Sequence, residues 1–129
     1  MQKGSFMDFI NKQHPDMVEI KNELMEVTYR QWRKKNYQDN RGFFPIFEGF
    51  EKYFSLISPG AISLYVYFGM KSNTKTGVSF HSLNKIASEF DKTPRTISNW
   101  LQELVDIGLI YRKQKKLNTV SYTYLRPYE

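Results

Sequence analysis

Few side chains in this 129-residue sequence stand where they could do covalent or metal chemistry. Cysteine is absent, which excludes disulfides, thiolate zinc sites and cysteine nucleophiles together, and agrees with a reducing compartment. His14 and His81 are isolated, neither has a spacing that holds a metal, and no glycine-rich loop is built to cradle a phosphate. Glu19, Glu23 and Glu26 follow helical spacing beside Lys21, as a solvated helix face does, not as an acid and base flanking a substrate. No enzymatic activity, cofactor or metal is expected. The spacing does offer hydrogen-bonding chemistry. Projected at about 100° per residue, Arg95, Ser98, Asn99 and Gln102 share one side of a helix whose other side carries Ile97, Leu101 and Leu104, flanked by Trp100 and Ile107. Arginine bonds the guanine edge in bidentate fashion, and Asn or Gln does the same for adenine. A solvated helix face is also polar, so its neighbours must decide between the two readings.

Those neighbours carry clear start and stop signals. Ser82 is a good N-cap, and Leu83, Ile86, Ala87 and Phe90 after it form one apolar face of a short helix. Asp91 and Lys92 make a turn. Thr93 then caps a second helix with Pro94 at its first position, running to about Ile107, where Gly108 supplies a left-handed C-terminal residue. Two helices joined by so short a turn form a helix-turn-helix. Beyond Gly108, Leu109–Lys116 and Val120–Leu125 read as two strands joined by a polar turn. The hairpin tip is flanked by Arg112, Lys113, Lys115 and Lys116. Such clustering suits a polyanion, although lysines also protect exposed strand edges.

The chain divides at Asn40-Arg41-Gly42 into an arm, residues 1–41, and a domain, residues 42–129. In the arm Pro15 opens a helix, and Met17, Ile20, Leu24, Val27 and Gln31 form a stripe suited either to packing on the domain or to a homodimer contact. The segment Gly42–Gly60 is aromatic and punctuated, as a strap with a short helix would be, and Pro59 opens a helix from Ala61 to about Met70 that is apolar on nearly every side. Its Tyr65, Tyr67 and Phe68 belong to the core, and the aromatic residues as a whole are assigned mostly there. Single-strand binding, which needs exposed aromatics, is therefore the lesser expectation. Ser58, Pro59 and Gly60 interrupt the longest uncharged run, so it reads as a buried helix and its lead-in, not a membrane span. The N-terminus lacks the apolar run of a signal peptide, and a cytoplasmic location is expected.

The net charge of +6 is unevenly spread. Residues 30–41 hold five basic side chains and one acid, and residues 71–129 hold ten and five, whereas the first 29 residues are net acidic. Two basic blocks suggest a polyanionic partner, and a general role in solubility is the plainer alternative. Abundant Lys, Asn, Ile, Phe and Tyr point to an A/T-rich bacterial or mobile-element genome.

The stretch from about Phe47 to Tyr124 resembles the bacterial winged helix-turn-helix family, above all domains of plasmid replication initiators and of small regulators. The matching segments are SPGAISLYVYFGM, HSLNKIASEFDKTPRTISNWLQEL and VDIGLIYRKQ. The resemblance implies a mainly α chain with a small β-hairpin (an α+β winged helix-turn-helix with an N-terminal helical arm) that binds double-stranded DNA. On this reading Arg95, Ser98, Asn99 and Gln102 face bases, while Thr93, Thr96, Arg112, Lys113, Lys115 and Lys116 contact phosphates. Transcriptional control or replication initiation is the expected role. A protein-interaction module and a single-stranded DNA binder are the alternatives.

Overall fold

The structure is a computed structural model that describes residues 18–73, 76–114 and 121–129, and the chain splits into two compact units between Gly42 and Phe43. In the first unit, α1 (Val18–Gln38) closes on Asn40, whose left-handed backbone (φ 56°) suits a short polar side chain. Its Ile20, Met25, Val27, Tyr29 and Trp32 are exposed and Leu24 is half-buried. Met17 lies outside the described residues.

The second unit is assembled by its caps. Ser58, Ser82 and Thr93 hold extended backbone angles, and each hydroxyl accepts a hydrogen bond from the backbone N–H three residues on, at 3.1–3.2 Å. These caps open α2 (Pro59–Lys71), α3 (Leu83–Phe90) and α4 (Pro94–Asp106). Proline at the first position of α2 and α4 gives up no bond there, because that N–H has no helical partner. Asp91 turns the chain between α3 and α4 in the left-handed region (φ 53°), and Gly108 ends the α4 segment at φ +82°.

Ahead of α2 the strap forms a 3-10 helix, Glu48–Ser55, that buries Phe50 and Tyr53. Phe50 packs on Tyr65 of α2 at a ring separation of 4.7 Å and on Tyr128 near the C-terminus at 5.5 Å. The Tyr128 hydroxyl accepts from the Phe47 N–H at 2.9 Å, which ties the last residues to the strap. Burial, more than the neighbouring Tyr128 and Tyr53, pushes the Tyr65 phenol above its ordinary value. The main core joins Leu64 and Phe68 of α2, Ile86 and Ala87 of α3, and Ile97, Leu101 and Leu104 of α4 with Leu109 and Ile110.

The expected hairpin is present as β2 (Ile110–Gln114) and β3 (Ser121–Leu125), and it belongs to a larger sheet. A strand not anticipated from the sequence, β1 (Val78–Phe80), pairs with β3, giving an antiparallel sheet in the order β1-β3-β2. Gly77 precedes β1 at φ +69°, and the Leu125 N–H donates to its carbonyl. At three residues β1 has too short an alternation to show a period of its own.

Candidate nucleic-acid interface

Amphipathicity decides what α4 presents. Ile97, Leu101 and Leu104 are buried, so Arg95, Ser98, Asn99 and Gln102 are left exposed on the other side. Gln102 is steadied by its own helix, with Nε2 donating to the Asp106 carboxylate at 2.7 Å. Thr93 is exposed and Thr96 half-buried at the N-terminus, where their hydroxyls lie 3.0 Å apart.

The orientation of α4 depends on two contacts that pattern reading does not show. Glu103 accepts two hydrogen bonds at the start of α2, from the Ser58 N–H at 2.8 Å and the Ser58 hydroxyl at 2.6 Å. The carboxylate thus meets the positive end of a helix dipole. On the next turn Trp100 lies against Gly60, where a Cβ would overlap the indole ring. Phe90 of α3 meets the same indole edge-on at 5.8 Å. Gly60 thus lets α2 and α4 approach closely, and Glu103 sets their register.

The hairpin cations are placed unequally. The Arg112 guanidinium is partly buried and donates to the His81 carbonyl at 3.1 Å, bracing β2 against the loop that enters α3. Burial lowers its pKa, and the group remains a cation. Lys113 is exposed and, one residue on, lies on the opposite face of the sheet. Lys115 and Lys116 lie outside the described residues, as does His14.

Around His81 sits a mixed cluster. The Tyr67 ring meets the imidazole edge-on at 5.6 Å, and Lys85 pairs with Glu89 at 3.5 Å. Burial lowers the His81 pKa; Lys71, Lys85 and Arg112 push the same way, against Glu89. The Tyr67 hydroxyl, then Lys71 and Lys85, hold the Glu89 carboxyl below its ordinary value, and burial holds the Tyr67 phenol above its own. No group of three or more His, Asp or Glu among the described residues could hold a metal ion, and no helix among them is long and apolar enough to cross a membrane.

A capped helix pair with a tight left-handed turn, placed on a central helix and followed by an antiparallel hairpin, defines the winged helix-turn-helix class. Residues 55–110 match the family model of a helix-turn-helix domain, the kind of domain that suggests DNA binding. The match runs from the end of the strap through α2, α3 and α4 to the first residue of β2. No curated protein and no solved structure matches the chain.

Proposed function

We propose that this protein binds double-stranded DNA sequence-specifically, laying α4 in the major groove with the hairpin against neighbouring phosphates, and that it serves transcriptional control or replication initiation in a bacterial or mobile-element genome. The observation that carries this reading is the exposed row Arg95, Ser98, Asn99 and Gln102, set on a helix whose other face is locked in the core. Side chains that read base edges need a rigid mount, because a misplaced bidentate pair gains little. Thr93, Thr96, Lys113, Lys115 and Lys116 contact phosphates in this reading. Arg112, already bonded to the His81 carbonyl, supplies positive potential and holds the hairpin's angle. The role is binding without catalysis, in the cytoplasm. The exposed Ile20 and Val27 with Leu24 form a homodimer contact that spaces two half-sites about one helical turn apart.

Competition binding with a selected duplex and a scrambled one, each at two salt concentrations, tests the reading. Arg95→Ala should cost about 1–3 kcal/mol on the selected site and much less on the scrambled one. Lys116→Ala should weaken both alike and reduce the salt slope by about one unit. A folded Arg95→Ala protein that keeps the full preference would remove α4 from the reading role. Light scattering decides the dimer: a monomer at high concentration, with the same mass in Leu24→Asp, rules out the arm contact.

A further inference from the structure

The register of the sheet gathers aromatic residues on the face turned away from the core. Residues directly opposite in an antiparallel sheet share a face, and Phe80 pairs with Tyr122, Tyr122 with Lys113, and Tyr124 with Tyr111. The other face carries Ile110 and the buried Ser79 and Thr123 and meets the helices. On the outer face Phe80 is 56% exposed and Tyr111 53%. Phe80 stands edge-on to Tyr122 at 4.7 Å, and Tyr111 is tilted against Tyr124 at 6.0 Å. Between Tyr111 and Tyr124 lies a shallow depression of about 450 Å³, completed by Lys113 and Arg126. No carboxylate is among the described residues that line it.

This composition is not what edge protection or core packing produces. Edge protection needs charge without rings, and core packing would have turned the rings inward. Rings with exposed faces beside cations, without acids, fit a ligand that is flat and apolar in one part and anionic in the other. A depression of this size suits a nucleotide, and an open sheet face suits a chain of them. Duplex DNA hides its base faces in the stack, so only unpaired bases present the matching surface.

We propose that the outer face of the sheet is a second nucleic-acid surface, which binds single-stranded nucleic acid by stacking unpaired bases on Tyr111 and Phe80 and holding the backbone with Lys113 and Arg126. It uses no residue of α4 and shares only Lys113 with the duplex-binding proposal. One DNA-bound protein then engages a duplex through α4 and an adjoining unpaired strand through the sheet.

Fluorescence anisotropy of the full chain with a short labelled oligo(dT) at fixed low salt tests this, because thymine stacks without offering a duplex. Tyr111→Ala should weaken binding roughly 5- to 150-fold. Phe80→Ala should act in the same direction, and Tyr111→Phe should bind like the parent because the ring, not the hydroxyl, does the stacking. Arg95→Ala should leave oligo(dT) binding unchanged, so a failure of the duplex reading and a failure of this one look different. Unchanged melting temperatures and circular dichroism confirm that the variants are folded. The proposal is overturned if the parent does not bind oligo(dT), as a protein-docking face would not. It is also overturned if Tyr111→Ala and Phe80→Ala both bind like the parent, or if Tyr111→Phe loses as much as Tyr111→Ala.

Discussion

The exposed face of α4 and the outer face of the sheet are both candidate nucleic-acid surfaces, but they are built for different contacts. On α4 the row Arg95, Ser98, Asn99 and Gln102 is hydrogen-bonding, and the rings of that region, Trp100 and Phe90, are turned inward. On the sheet the rings point outward and the hydroxyls of Ser79 and Thr123 are buried. A helix of this kind suits directional contacts to base edges in an intact duplex, whereas a flat array of rings suits base faces exposed when the duplex opens. The orientation of the aromatic residues separates the two surfaces, and so does charge: Arg95 shares its face with Asp106, whereas Lys113 and Arg126 line the sheet depression without a carboxylate among the described residues.

The largest expected effect comes from the support beneath α4. Leu104 is fully buried, and Leu104→Ala should cost about 2–5 kcal/mol in denaturant unfolding. Duplex binding should weaken with it more than oligo(dT) binding, since the sheet is also tied by its own ladder. Equal losses on both ligands would show that the two surfaces behave as one mechanical unit.

Glu103→Ala is a finer instrument, because it removes both bonds to Ser58 without touching the exposed face. A loss of about 1–3 kcal/mol in stability is expected. At a temperature where the variant is fully folded, a loss of preference for the selected duplex with oligo(dT) affinity unchanged would confirm that this carboxylate sets the helix's angle. Unchanged preference would assign it a purely stabilising role.

On the inner face of the sheet the effect should reverse sign. The Thr123 hydroxyl is buried with no partner among the described residues, so the near-isosteric Thr123→Val should stabilise by up to about 1 kcal/mol. Both binding activities should be retained. A lower melting temperature would mean that the hydroxyl is hydrogen-bonded through water.

The smallest effect belongs to His81, which links β1 to the cap of α3. Its folded-state pKa lies below the ordinary 6.5, so as pH falls through 6.5 the unfolded chain takes up the proton first. Stability should be level above that value, decline below it, and level off again once the folded state is protonated. Melting curves between about pH 7.5 and 5.5 should show a shallower decline for His81→Gln than for the parent. The lowered Glu89 pKa acts only further down, where carboxylates take up protons. Parallel curves for the two proteins would show that His81 is not the titrating group.

Signals acting over a few residues were legible in the sequence. Ser82, Thr93, Pro59, Pro94 and Gly108 mark helix ends because caps, proline and left-handed backbone act within one turn, and the helix-turn-helix and the polar row on α4 follow from them directly. The hairpin strands could be read for the same reason, since their partners lie close along the chain. Contacts between residues far apart in sequence had no such signature. Val78–Phe80 became a strand only because β3 offered it an edge, and Ser58 met Glu103, Arg112 met His81, and Tyr128 met Phe47 only after the helices had packed. The outward turn of Phe80, Tyr111, Tyr122 and Tyr124 was decided at that level too. Composition places aromatics in a core by default, and strand alternation names two faces without saying which is covered. Only the docking of the helices against one side of the sheet settled which rings would be left exposed.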